Sequence, residues 1–141
     1  MRLQLALNVR DLDAAVDFYT TMFDTAPAKR RPGYANFAVE QPPLKLVLFE
    51  SDSHGDSDFH HLNHLGVEVD RPEDVAEADA RLQGGEVATT GVEDAVCCYA
   101  EKTETWAMSP EGARWEWYVK TGDTEQMEHG SLGACSGGAC G

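Results

Sequence analysis

The hydrophobic positions of the chain form a pattern that occurs twice. Residues 4–11 (QLALNVRD) and 64–71 (HLGVEVDR) alternate apolar and other side chains with a period of two, which indicates strands. Each segment begins with a side chain that can bind a metal, Gln4 in the first and His64 in the second. A helix-like stretch follows each of them. This internal repeat predicts a duplicated module.

The two helix-like stretches carry start and stop signals. Asp11 can cap the first helix, and Pro72 suits the first turn of the second, which residues 84–85 (GG) should end. The apolar residues recur at helical spacing in both stretches. They are Leu12, Ala15, Val16, Tyr19 and Phe23 in the first, and Val75, Ala78 and Leu82 in the second.

Strand-like segments follow each helix. They cover about residues 34–40 and 44–50 in the first copy, and about 99–108 and 114–120 in the second. The order β-α-β-β therefore occurs twice, with a further short strand in each copy left open.

The repeat also indicates how the domain is organised. We expect one domain over residues 1–121, with modules at about 1–52 and 62–121. The polar segment 51–63 suits a linker. Residues 122–141 lack periodicity and end in GACSGGACG, which is typical of a flexible tail.

Composition limits the classes of molecule that the protein can bind and indicates its cellular location. The 141 residues are enough for one core, and the net charge of −14 argues against nucleic acid or an anionic membrane as partner. No apolar run reaches the roughly 20 residues of a membrane span. The N-terminus shows no signal peptide, so we expect a cytoplasmic protein.

Four cysteines in such a protein are expected to be reduced thiols. The adjacent Cys97 and Cys98 are better suited to sharing a third atom than to bridging each other. Neighbours on a regular strand point to opposite faces, so this sharing requires a loop or bulge, for which residues 91–95 give room. The alternative is two small apolar residues in a buried strand. Cys135 and Cys140 in the tail are either a second soft-ion site or merely part of a flexible segment.

Three residues are candidate metal ligands. A two-fold repeat would bring Gln4 and His64 face to face, and alternation in residues 114–118 (RWEWY) separates Glu116 from the flanking tryptophans. A buried carboxylate is costly unless it is paired with a cation, so the alternative is an ion pair with Arg114 or a lysine. Three protein ligands with open positions suit Fe(II) that binds substrate and O2 together.

The chain resembles the vicinal oxygen chelate superfamily, which includes glyoxalase I, bleomycin resistance proteins and extradiol dioxygenases. The resemblance spans about residues 3–120 and is carried by residues 4–12, 17–19, 64–69, 109–112 and 115–116. It implies an α+β fold of two βαβββ modules that form a half-open sheet cleft around a metal on Gln4, His64 and Glu116. Glutamine stands where many members have histidine, and an amide oxygen is a weaker donor than imidazole.

Within that superfamily, residues 96–100 (VCCYA), 31–38 and 42–48 resemble the organoarsenical C–As lyases and their cadmium-induced relatives. The resemblance implies an Fe(II)- and O2-dependent lyase of the dioxygenase type that removes methyl or aryl groups from trivalent organoarsenicals to give arsenite. Cys97 and Cys98 would bind the arsenic. The preferred organic group, the proton-transfer residue and a homodimer are left open.

Two alternatives remain at this stage. One is a binding protein that sequesters cadmium or arsenite through its four thiols without turnover. The other is a glyoxalase-like thiol lyase, transferase or isomerase, which would require a fourth ligand of the carboxylate type. The last strand of the first copy lacks a carboxylate inside it.

Overall fold

The computed structural model describes residues 1–51, 60–97 and 99–125, in which two units each have the order βαβββ. The N-terminal module (residues 2–63) and the C-terminal module (Met1 and the chain from residue 64) are described separately. The first contains β1 (Arg2–Val9), α1 (Leu12–Phe23), β2 (Lys29–Arg31), β3 (Tyr34–Val39) and β4 (Leu44–Glu50). The second contains β5 (Leu62–Glu68), α2 (Pro72–Gly84), β6 (Glu93–Cys97), β7 (Ala100–Met108) and β8 (Arg114–Asp123).

The strands of the N-terminal module lie in the order β2-β3-β4-β1. Strand β4 is parallel to β1 and antiparallel to β3, and β3 is antiparallel to β2. Helix α1 covers one face of these strands, where Leu12 and Val16 pack against buried strand residues. These are Ala35, Phe37, Val39, Leu46 and Leu48.

The C-terminal module repeats this topology with the order β5-β8-β7-β6. Strand β8 is parallel to β5 and antiparallel to β7, which is antiparallel to β6. Val75 of α2 belongs to the core formed with Val67, Val69 and Val119, and Trp117 packs against it. The duplication and the α+β fold class predicted from the sequence are therefore confirmed.

Both predicted helices are present with the expected signals. The Asp11 Oδ1 atom accepts a hydrogen bond from the Ala14 backbone N–H at 3.0 Å and caps α1. Helix α2 begins at Pro72 and ends at Gly84, and the Gly85 N–H donates to the carbonyl oxygens of Arg81 and Leu82. No helix in the described ranges is long and apolar enough to cross a membrane.

Two strands escaped the sequence pattern. Strand β2 is three cationic residues long, and β6 begins with two acidic residues, so neither shows the apolar alternation expected of a strand. Residues 93–95, which were expected to give room for a loop or bulge at the cysteine pair, belong to β6, which is paired with β7. Strand β8 continues to residue 123. Residues 52–59 of the expected linker and 126–141 of the expected tail lie outside the described residues, and the single domain over 1–121 stays a prediction.

Candidate metal centre

The strand register places the candidate site on one face of the C-terminal sheet. This face lies opposite α2, and we call it the helix-free face. In β8, Trp117 packs toward α2 and has the Arg81 guanidinium 5.2 Å from its ring centre, so Glu116 points the other way. Cross-strand partners share a face, and Glu116 pairs with Gly66 of β5 and Trp106 of β7. The predicted separation of Glu116 from the flanking tryptophans is thus confirmed.

His64 and Glu116 meet on the helix-free face. The His64 Nε2 atom lies 3.3 Å from Glu116 Oε1, and both side chains are 0% exposed. Burial is the largest influence on His64 and lowers its pKa below the usual value, against the opposing effect of Glu116. A neutral imidazole offers a nitrogen lone pair, so the pair presents one nitrogen and one carboxylate oxygen donor to a cation.

Lys102 also contacts this pair. Its ammonium group lies 3.7 Å from Glu116 Oε1, and the side chain is only 2% exposed. The same ammonium lies 4.8 Å from the ring centre of Tyr118, whose hydroxyl donates a hydrogen bond to Glu68 Oε2 at 3.1 Å. The alternative drawn from the sequence, an ion pair between Glu116 and a lysine, therefore has a structural basis in Lys102.

Glu104 adds a second buried carboxylate. It is fully buried, and its pKa is raised to about 7, first by burial and then by the negative charge of Glu116. Sequence analysis missed Lys102 and Glu104, although both lie in the expected strand 99–108. Their signal was the period-two spacing with Trp106, which places all three on one face of β7.

Trp106 closes one side of this cluster. Its ring centre lies 5.1 Å from that of His64 in an edge-on arrangement, and the Arg114 guanidinium lies 5.8 Å from the Trp106 ring centre. Trp106 is itself buried. Trp106 thus provides an aromatic contact to His64 within the C-terminal module.

Gln4 occupies in the N-terminal module the position that His64 has in the C-terminal one. Gln4 is buried. Two residues further along β1, Ala6 pairs with Val47 of β4. His64 likewise precedes Gly66, which pairs with Glu116. Val47 of β4 therefore stands at the position where β8 of the second module has Glu116.

Cys97 lies at the far end of the helix-free face. It is the last residue of β6, is 1% exposed, and pairs with Ala100. Trp106 lies six positions after Ala100 in β7, which corresponds to about 20 Å along the strand at about 3.4 Å per residue. Cys97 and the His64–Glu116 pair are thus separated along this module.

The Cys97 sulfur is in a disulfide, which differs from the expectation of reduced thiols. That expectation came from the predicted cellular location, whereas pairing is decided by geometry. Tyr99 has a left-handed backbone with φ of 65° directly before β7 begins. Cys98, Cys135 and Cys140, which the sequence also proposed as arsenic or soft-ion ligands, lie outside the described residues.

The residues present fit a metal such as Fe(II) in their donor chemistry. Imidazole nitrogen and carboxylate oxygen are ligands that iron accepts, and two buried carboxylates favour a nearby cation. Within residues 1–51, 60–97 and 99–125, no three His, Cys, Asp or Glu side chains form a metal-binding group. The predicted set contains only two such residues, because its third member is the amide of Gln4.

Comparison with known proteins identifies the family. Residues 3–116 match the family model described as the Glyoxalase/Bleomycin resistance protein/Dioxygenase superfamily. The chain belongs to this superfamily. The resemblance predicted from the sequence is therefore confirmed.

Several relatives are similar over almost the whole chain. The trivalent organoarsenical cleaving enzyme of Thermomonospora curvata is 46% identical over 134 residues, which cover 95% of this chain and 87% of that protein. The cadmium-induced protein CadI of Mycobacterium bovis is 46% identical over 129 residues, covering 92% and 82%. A further trivalent organoarsenical cleaving enzyme from a Bacillus species is 32% identical, covering 89% and 77%.

Solved structures agree with the fold. The Mn(II)-bound glyoxalase from Novosphingobium aromaticivorans has a TM-score of 0.61 at 17% identity, covering 89% of this chain and 41% of that one. The methylmalonyl-CoA epimerase of Streptomyces coelicolor has a TM-score of 0.56 at 14% identity, covering 84% and 95%. At such low identity these likenesses establish the glyoxalase-type fold alone.

Proposed function

We propose that this protein is an Fe(II)- and O2-dependent C–As lyase that converts trivalent organoarsenicals to arsenite. The observation that carries the proposal is the buried His64–Glu116 pair on the face that also holds Cys97. Two relatives whose names state that they cleave trivalent organoarsenicals support the substrate class. The biological role that follows is detoxification of organoarsenicals.

The proposed metal ligands are Gln4, His64 and Glu116. Bound there, Fe(II) would supply the ability to activate O2, which the protein's own side chains lack. His64 would donate Nε2, and its lowered pKa keeps that nitrogen available near neutral pH. Glu116 would supply negative charge, and Lys102 at 3.7 Å would hold one of its oxygens in place.

Cys97 and Cys98 would form the arsenic handle. A trivalent monoalkyl arsenical, R–As(OH)2, reacts with two thiols to give R–As(S–Cys)2 and two water molecules. Only the carbon substituent then remains beside the sulfurs, so the dithiol selects mono-organic arsenicals. The disulfide at Cys97 must be reduced first, and the handle must move along the module to bring the C–As bond to the metal ligands.

The overall reaction balances without a further reductant for a methyl group. CH3As(OH)2 and O2 give formaldehyde and As(OH)3, in which carbon loses four electrons, O2 gains four, and arsenic stays trivalent. A phenyl group loses only two electrons on becoming phenol. Two thiols of a reductant must therefore supply two more electrons and two protons, and they leave as a disulfide.

The test is anaerobic reconstitution of the reduced protein with Fe(II), followed by air and methylarsonous acid. We expect arsenite and formaldehyde in equal amounts, measured by arsenic speciation and aldehyde detection. A phosphine reductant is preferable, because a small dithiol would itself capture the arsenical. Absence of arsenite from the metal-loaded, fully reduced protein would contradict the proposal.

Two variants separate the roles of thiol and metal. Cys97→Ala should lose binding of methylarsonous acid while it keeps Fe(II), and Glu116→Gln should lose Fe(II) while it keeps arsenical binding. Binding is measured by equilibrium dialysis with arsenic and iron analysis. Normal arsenical binding and turnover by Cys97→Ala would overturn the thiol assignment.

A second candidate function is sequestration of cadmium or arsenite without turnover. The relative named as a cadmium-induced protein favours it. Sequestration predicts tight Cd(II) binding that survives His64→Ala and depends on Cys135 and Cys140. Release of arsenite by the wild type under air would decide for the lyase.

The position of Val47 argues against a glyoxalase-like activity. Such an activity requires a fourth protein ligand of the carboxylate type. The N-terminal module has a valine at the position equivalent to Glu116. Three ligands leave more coordination positions open for substrate and O2.

A further inference from the structure

We propose that Asp79 is a positioning residue of the candidate metal centre, because its carboxylate fixes the part of β7 from which Trp106 reaches His64. The inference rests on the proposed function, since it assigns a role toward the proposed metal ligands. Asp79 lies in the middle of α2, on the side of the C-terminal sheet opposite the helix-free face. It therefore acts on the centre through the strand between them.

The Asp79 carboxylate accepts hydrogen bonds from three side chains of the C-terminal module. Its Oδ1 atom accepts from the Thr105 hydroxyl of β7 at 2.8 Å and from the Thr89 hydroxyl at 2.6 Å. Its Oδ2 atom accepts from the Gln83 amide at 2.8 Å, and that amide also donates to the Thr89 hydroxyl at 3.1 Å. One carboxylate thus connects α2, the segment that follows it, and β7.

Thr105 is the direct link between Asp79 and the candidate centre. It is fully buried and lies between Glu104 and Trp106 in β7. Adjacent side chains of a strand point to opposite faces, so the bond that holds Thr105 toward α2 also fixes the direction of its two neighbours. Trp106 is the cross-strand partner of Glu116, and its ring centre lies 5.1 Å from that of His64.

Thr89 provides a second link to the same tryptophan. It forms a β-bridge with Ala107, the residue after Trp106. The next residue, Thr90, accepts a hydrogen bond from the Trp106 N–H at its Oγ1 atom at 3.1 Å, and its own N–H donates to the Trp106 carbonyl oxygen at 3.0 Å. Asp79 therefore holds the backbone of Trp106 both through β7 and through the segment beside it.

The charge of Asp79 makes this connection stiff. Hydrogen bonds to an ionised acceptor are stronger than those between neutral groups, and a fully bonded polar network favours a single geometry. An apolar side chain at this position of α2 would pack against β7 without fixing its orientation. Residues that support metal ligands typically contribute about 10–100-fold to metal affinity. We expect the lower end of that range for Asp79, because it acts through Trp106.

The test compares two threonines of β7 in the full chain. Thr105→Val removes the hydroxyl and keeps the branched shape, so the Kd for Co(II), used as a spectroscopic probe under argon, should rise about tenfold. The absorption spectrum of the bound Co(II) should also change. The matched control is Thr103→Val, which removes a hydrogen bond of 2.7 Å to Asp94 from the same side of β7. Its Co(II) Kd should stay within about twofold of the wild type.

Two variants of Asp79 separate hydrogen bonding from packing. Asp79→Asn keeps a carbonyl oxygen that can accept from both threonine hydroxyls, so its Co(II) Kd should stay within about threefold of the wild type. Asp79→Leu removes every acceptor and should weaken Co(II) binding about tenfold, like Thr105→Val. Circular dichroism confirms that each variant is folded.

The contact between Trp106 and His64 gives a readout that needs no metal. In the metal-free protein, the nuclear Overhauser effect between the Trp106 indole and the His64 imidazole should be lost in Thr105→Val and Asp79→Leu and kept in Thr103→Val. A role in stability alone would lower the urea midpoint and leave the Co(II) Kd, the spectrum and this effect unchanged, which would overturn the inference. If the wild type binds no Co(II), the proposed metal centre fails, and the Trp106–His64 contact still decides on Asp79.

Discussion

Four ionisable residues of the C-terminal module are buried on the side of the sheet that its helix does not cover. His64, Lys102, Glu104 and Glu116 are all 2% exposed or less. Burying a charge is costly unless a partner compensates for it, so each member of this cluster depends on the others. Such a cluster contributes little net stability to the fold.

Lys102→Met tests this dependence. It removes the ammonium 3.7 Å from Glu116 and leaves two buried carboxylates close together, so we expect a loss of about 3 kcal/mol in the unfolding free energy of the metal-free protein. Urea denaturation measures it. The matched control is Lys120→Met, which removes an exposed lysine paired with Asp123 and should cost at most about 1 kcal/mol. Similar losses in both variants would contradict the dependence.

Glu104 gives the metal-free protein a distinct pH response. Because its folded pKa of about 7 exceeds the usual 4.5, protonation stabilises the fold, and this contribution is lost as pH rises from about 4.5 to 7. His64 acts in the opposite direction, since its lowered pKa costs stability as pH falls through 6.5.

Glu104→Gln isolates the carboxylate's contribution. The unfolding free energy of Glu104→Gln minus that of the wild type should increase between pH 5 and pH 8, by up to about 3 kcal/mol. Urea titrations at several pH values in the presence of a chelator provide the measurement. A difference that stays constant over this range would mean that the Glu104 pKa is not raised.

At the scale of the elements, local sequence decided where the helices begin and end. The Asp11 carboxylate satisfies a backbone N–H that the first helical turn leaves without a partner. The strands depend more on their neighbours. β2 consists of three cationic residues and β6 begins with two acidic ones, and both strands form because β3 and β7 offer backbone partners.

Asp11→Ala should lower the unfolding free energy by about 1 kcal/mol, because it removes the cap of α1. Thermal and urea denaturation provide the measurement. Asp17→Ala changes an exposed aspartate within the same helix and should have little effect or slightly stabilise, since alanine favours helices. Equal losses in the two variants would show that capping does not contribute.

At the scale of the whole molecule, the proposed metal ligands come from both modules. Gln4 belongs to β1, whereas His64 and Glu116 belong to β5 and β8. A ligand that binds only the folded state stabilises it by about 2.7 kcal/mol at a concentration one hundred times its Kd. A metal held by these residues would therefore raise the stability of the folded chain.

Fe(II) added under argon should raise the Tm of the wild type, and Gln4→Leu and His64→Leu should each lose most of that rise. Differential scanning calorimetry with and without metal measures the shift for each variant against its own metal-free Tm. A full Fe(II)-induced rise in Gln4→Leu would remove Gln4 from the ligand set.

The candidate positions could be chosen from the sequence because the two copies of the module have the same order of elements. The repeat located Gln4 and His64, and alternation in β8 placed Glu116 away from the tryptophans. Lys102 and Glu104 could not be recognised in this way. Charged residues at alternate positions usually indicate a solvent-facing strand side, and only the fold determines that this side is buried.

The sequence by itself determined the family, the duplication and the helix boundaries, because periodicity and capping act between residues close in the chain. Only the tertiary structure decided that His64 and Glu116 lie 3.3 Å apart, that Lys102 and Glu104 are buried beside them, and that β6 ends at Cys97. Those facts depend on strand pairing between distant segments. No local sequence pattern encodes this strand pairing. The pairing determines which charged side chains are removed from water.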